Sequence, residues 1–180
     1  MQLHCTKKLL ERLDVSRVSL KEEAPANQIF SWQAHLVSID RGKALIAVNE
    51  ETFYILIMPQ LKKKNFEKLA VEFYSALFVS LKSEGYTNRH CQYLFGGEMS
   101  YGKTYSRQLL GILNDAVKHI DFQVYRHGGW AGTNLVELTK EMNRTPWLAS
   151  SRHAVYGFQK MKEVLGALPM VASKMKAAFI

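Results

Sequence analysis

The 180-residue chain has little of several residue types, and each shortage removes a class of explanation. It has two cysteines, Cys5 and Cys91, too few for a disulfide scaffold, so a reduced cytoplasmic protein is the expectation. No run approaches the 18 apolar residues that a membrane span requires, and the first residues, MQLHCTKKLLERL, have no apolar signal core. The four prolines and the absence of internal repeats, heptads and low-complexity runs argue against solenoids, coiled coils and disordered linkers. Acidic residues are the scarcer charge, at 16 against 24 Lys and Arg, which argues against an acidic mimic of DNA.

The chain does have a core-forming composition, 47% hydrophobic and 11% aromatic, in a length that suits one domain. The net charge of +8 is uneven. Residues 101–180 carry 11 Lys and Arg against 5 Asp and Glu, the electrostatic footprint expected of a polyanion binder.

Residues 2–6 read as a strand and KKLLERL as a short helix, followed by a loop over residues 16–30. Trp32–Ile39, Ala44–Val48 and Phe53–Met58 read as a three-stranded antiparallel meander. Asp40-Arg41-Gly42-Lys43 forms its first turn, with Gly42 free to take positive φ. The second and third strands are apolar on both faces, so both want cover. Asn65 is a candidate N-cap for a long helix carrying Phe66, Leu69, Phe73, Leu77 and Leu81, with Gly85 closing it. Residues 88–103 read as a hairpin or irregular loop, 127–134 as a glycine-rich connector with one exposed tryptophan, Trp130, and Asn134–Arg144 as a helix. Two helices separated by Pro169 fill the tail. The expected fold is α+β: a mostly antiparallel sheet, the meander plus an N-terminal strand, covered by helices over residues 1–147. A helical extension over 148–180 packs on that core, or joins two copies in a homodimer.

Within the helix expected at 106–121, Arg107, Gly111 and Asn114 share one face, opposite a stripe of Leu109, Leu110, Leu113, Val117 and Ile120. A mid-helix glycine costs about 1 kcal/mol relative to alanine. It fits either close protein packing, with Arg107 and Asn114 bonded to neighbouring segments, or the approach of a ligand. Basic residues and aromatics are interleaved on both sides: Tyr101, Lys103, Tyr105 and Arg107 before or at the helix start, Tyr125, Arg126, His127 and Trp130 after it. Aromatics stack on bases and Lys or Arg neutralise phosphates.

Other constellations carry less. Adjacent strand residues point to opposite faces, so His4-Cys5 and His90-Cys91 do not form a shared metal site, and no metal or cofactor is expected. HGGWAGT lacks the Lys-Ser/Thr ending of a phosphate loop. Glu98, His90, His35 and Arg107 would supply metal-independent RNA cleavage if they converged.

The segments CTKKLL at 5–10, WQAHLVSIDRGKALIAVNEETFYILIMPQLKKKNFEKL at 32–69, GGEMSYGKTYSRQLLGILND at 96–115 and LTKEMNRTPW at 138–147 together carry a resemblance. In order and spacing they resemble a bacterial domain family of unknown function, found alone or beside domains similar to a plasmid ORF-3 protein of mobile elements. Its members show a Trp-His-Ala-Asn-Leu-type strand and an Arg-Ser-x-x-Gly-x-x-Asn helix. Here Gln33 replaces the histidine and Gln108 the serine. The resemblance implies no activity. The leading expectation is a small basic binding protein that contacts nucleic acid, or a complex that handles it, through Lys103, Tyr105, Arg107, Asn114, Arg126 and Trp130. Phage, plasmid or defence biology is the context the resemblance implies. The alternatives are a toxin-like metal-independent ribonuclease and an inhibitor or adaptor acting through the glycine-rich loop and the C-terminal helices.

Overall fold

A computed structural model describes residues 1–13, 26–95, 97–148 and 153–167. Most of the loop expected at 16–30, the Pro169 break and the last 13 residues lie outside the described residues.

The protein is α+β. A five-stranded sheet runs in the order β4 (Ile55–Met58), β3 (Gly42–Asn49), β2 (Ser31–Ile39), β1 (Gln2–Cys5), β5 (Ser100–Lys103). The meander forms as expected, with β2, β3 and β4 antiparallel. The sheet as a whole is mixed and not mostly antiparallel, because β1 runs parallel to both β2 and β5. Part of the difference arises at residues 88–103, which hold a helix, α4 (Asn88–Leu94), and the edge strand β5 instead of a hairpin.

Helices cover both faces, which explains why β3 and β4 are apolar on both sides. On one face, α1 (Lys7–Arg12), α3 (Leu69–Ser83), α4 and α7 (Gly157–Gly166) send Leu9, Phe73, Leu77, Leu81, Leu94, Met161 and Leu165 against Leu3, Trp32, Leu45 and Leu56. On the other, α5 (Arg107–Arg126) and α6 (Leu135–Arg144) pack Leu113, Ala116, Ile120, Val124 and Met142 on Val37, Ile46, Val48 and Ile57. The long helix expected after Asn65 is split. Residues Lys63–Glu67 form a separate turn of helix, α2, and Asn65 lies inside it, accepting the Lys62 N–H at 2.8 Å, so it is not the N-cap. The part of the C-terminal extension that is described contains a strand as well as a helix: β7 (Ala154–Tyr156) pairs with β6 (Pro146–Leu148).

The first turn of the meander also differs from expectation. Asp40 and Arg41 are the two residues at positive φ, 48° and 60°, while Gly42 already belongs to β3. This is the primed two-residue turn that matches strand twist. The Asp40 carboxylate accepts the Trp130 N–H at 2.9 Å, and the Trp130 indole N–H donates to the Ile39 carbonyl at 3.2 Å. Gly129 makes the contact possible. It sits at φ 101°, and a Cβ there would come within 2.5 Å of the Asp40 carboxylate.

Candidate functional site

Two features near the start of α5 are candidates, and they adjoin. The first is the outer face of the helix. Ser106 caps it, its hydroxyl accepting the Leu109 N–H at 3.3 Å. Leu109, Ile112, Leu113, Ala116, Ile120 and Val124 are buried, and Leu110 and Val117 half-buried, so the apolar stripe faces the sheet as expected. Arg107, Gly111, Asn114, Lys118, Phe122 and Tyr125 are all exposed. Their spacing of three and four residues makes one ridge about 27 Å long at 1.5 Å per residue.

At Gly111 one of the two expected roles falls away. A Cβ added there meets nothing within 4 Å. No described segment packs against it, so tight protein contact is not why the side chain is missing. Arg107 is not paired with Glu98, whose backbone carbonyl instead accepts the N-terminal ammonium at 3.2 Å.

The remaining residues expected at a binding surface divide. Lys103 and Tyr105 are exposed just before α5. Arg126 is exposed at the far end of the helix, its guanidinium 5.7 Å from the Phe122 ring centre. Trp130 is not an exposed tryptophan. It is only 7% accessible, held by Ile39 and Asp40 in the α5 core, and its ring offers no face to a base. Tyr101 is likewise buried.

The residues that would cleave RNA are spread over different tasks. His90 completes the cap of α4 with Thr87, Glu98 is exposed near the N-terminus, and His35 is half-buried on β2. Burial and the nearby Lys8 ammonium hold the His35 imidazole below its ordinary pKa. Cys5 and Cys91 are free, buried thiols. Among the described residues no three His, Cys, Asp or Glu side chains gather as a metal would need.

The second feature is not apparent from the sequence. Strand alternation puts Gln2, His4, Ser31 and Gln33 on the α5 face of the sheet, where parallel pairing sets Gln2 beside Ser31 and His4 beside Gln33. Glu50 follows the end of β3, its N–H bonded to the Ser31 carbonyl at 2.9 Å. His4 Nδ1–H donates to the Lys103 carbonyl at 3.2 Å, leaving Nε2 3.8 Å from Glu50 Oε1. Tyr105 closes the group from outside. Its hydroxyl donates to Glu50 Oε2, its ring stands edge-on to His4 at 4.9 Å between centres, and Ser31 lies beside the same phenol. Burial and then the Glu50 carboxylate push the Tyr105 phenol up to about 12.

Gln33 is the anomaly. It is 0% accessible, and neither amide atom has a partner among the described residues. His4 Nε2 and Glu50 Oε1 have no hydrogen bond among them either. Each unsatisfied buried group costs about 1–3 kcal/mol. A few ångströms away the same face carries Val48 opposite Gln33 and Ile46 opposite His35, so apolar side chains fit this layer. Polar ones persist in it at a cost to stability.

A mixed sheet between two helical layers, with an exposed helix ridge beside a buried polar cluster, defines the class: an α+β protein with its candidate site at the start of α5. The chain belongs to the DUF6933 family, a domain of unknown function whose profile matches residues 2–159. No curated protein and no solved structure matches it.

Proposed function

We propose that the protein binds single-stranded nucleic acid along the outer face of α5. Lys103 and Arg107 would neutralise phosphates, Tyr105 would stack on a base, and Asn114 would hydrogen-bond along the ridge. The observation that carries this reading is the open space over Gly111. It leaves a gap between Arg107 and Asn114 that no described part of the protein fills. Between residues 103 and 126, Lys103, Arg107, Lys118 and Arg126 outnumber Asp115 and Asp121, which supports the same reading.

The test is fluorescence anisotropy with labelled 12-mer RNA and DNA single strands at two salt concentrations, with the probes checked for cleavage. Each phosphate contacted contributes about 0.7 to the slope of log K against log salt. Lys103→Glu with Arg107→Glu is expected to lower the slope by about 1.4 and the affinity at least tenfold. Arg126→Glu, at the far end of the same ridge, is expected to lower the slope by about a further 0.7. Unchanged affinity in the double variant would reject the ridge, and cleaved probe would restore the ribonuclease reading.

A further inference from the structure

The exposed ridge uses Tyr105 but not the buried His4, Gln33 and Glu50 beside it. Building on nucleic-acid binding along α5, we infer that His4, Gln33 and Glu50 form a subsite for a single pyrimidine base, which Tyr105 occupies in the unbound protein.

Four observations lead there. Gln33 offers one donor and one acceptor, both buried and both unpartnered, aimed into a layer where its cross-strand neighbour is valine. Glu50 offers a carboxylate oxygen with no hydrogen-bond donor. A buried carboxylate repels phosphate, so the ligand that suits the cluster is neutral and brings its own N–H groups. Finally, the group now meeting Glu50 is a phenol, a single six-membered ring with one donor, carried on a residue that is otherwise 55% exposed and lies outside regular structure between β5 and α5. Swinging Tyr105 outward breaks one hydrogen bond and uncovers Glu50 and the edge of His4.

Cytosine N4–H or uracil N3–H would then donate to Glu50, as the phenol does now. The Gln33 amide N–H would donate to a ring carbonyl, and the displaced Tyr105 ring would be free to stack on the neighbouring base. A pyrimidine matches the single ring of the phenol it would replace, whereas a purine carries a second, fused ring. His4 is fixed through Nδ1, with Nε2 turned towards Glu50 at 3.8 Å.

The experiment compares U10, C10 and A10 RNA by anisotropy at one low salt concentration, with wild-type protein, Gln33→Met and Tyr105→Phe, and records the thermal midpoint of each protein. U10 and C10 are expected to bind the wild type at least tenfold tighter than A10. Gln33→Met is expected to raise the thermal midpoint, because it removes an unpaired buried amide, while abolishing the pyrimidine preference and leaving A10 affinity unchanged. Tyr105→Phe frees Glu50 and is expected to tighten U10 and C10 binding relative to A10. Equal affinity for all three oligomers in the wild type overturns the subsite but leaves the ridge standing, as does a preference that survives Gln33→Met. Absence of binding by any oligomer overturns the ridge itself, and the subsite with it.

Discussion

Asn143 shows how one side chain can finish a sheet. Residues of an antiparallel strand present backbone groups alternately to either side, and those of Ile55 point away from β3. The Asn143 amide meets both, its oxygen accepting the Ile55 N–H at 2.7 Å and its nitrogen donating to the Ile55 carbonyl at 3.0 Å. A third bond ties it to its own helix at the Thr139 carbonyl, 2.9 Å away. Asn143→Ala strands two buried backbone groups and is expected to cost about 2–4 kcal/mol, read as a lower urea midpoint at unchanged m. A loss below about 0.5 kcal/mol would mean that water replaces the amide freely. His35 makes a prediction in pH. Its folded pKa lies below 6.5, so the unfolded chain binds the proton more readily. Its contribution to stability is therefore complete above pH 6.5 and is lost as pH falls through that value towards the folded pKa. His35→Gln should narrow the gap between thermal midpoints at about pH 7.5 and 5.5. An unchanged gap would place the pH dependence on other groups.

At the scale of elements, α5 is the most informative. An exposed mid-helix glycine with nothing around it carries only its propensity penalty, so Gly111→Ala should stabilise the protein by about 0.5–1 kcal/mol. If a ligand lies over that gap, the same variant weakens nucleic-acid binding, and the opposite signs separate the two effects. The two-sided character of α5 was legible from its spacing, as were the meander and the apolar face of α3, because those signals are local and repeat over many residues. Residues 88–103 were not legible. Helix α4 is seven residues long and β5 four, one of them glycine, and β5 is a strand only because β1, far earlier in the chain, lies alongside it. Trp130 misled for a related reason. A glycine-rich segment reads as flexible, yet Gly129 is there to let the backbone close on Asp40, and that partner is 90 residues from Trp130. The polar cluster left a trace in the sequence, the every-second-residue pattern of Gln2 and His4 and of Ser31, Gln33 and His35. What the sequence lacked was the parallel pairing of β1 with β2 that makes one site of them.

For the whole molecule, the question is whether two cores on opposite faces of one sheet behave as one. Each side chain of a strand belongs to one core, but each backbone belongs to both. Trp32, on β2, lies in the core beneath α3, while Trp130 and Trp147 lie in the core beneath α5 and α6. Other links cross between the layers. Arg144 of α6 grips Glu84 at the end of α3 with two bonds of 2.8 and 2.7 Å, and its guanidinium lies 4.7 Å from the ring centre of Phe158 in α7. Loss of either core exposes the sheet face it covers, so neither half is expected to persist alone. Phe73→Ala on one side should cost about 3–5 kcal/mol and Ile120→Ala on the other about 2–5 kcal/mol. Each should move a single urea transition. That transition should coincide when followed by helical circular dichroism and by the fluorescence of Trp32 or of Trp130 and Trp147, with the other tryptophans replaced by phenylalanine. If Ile120→Ala shifted only the Trp130 and Trp147 signal, the α5–α6 layer would be a separable unit. The exposed face of α5 and the buried polar cluster beside it could then be destabilised without unfolding the layer built on α3. A single shared transition instead makes the polar cluster a burden on the stability of the entire protein, which is why Gln33→Met should raise the midpoint of the whole fold.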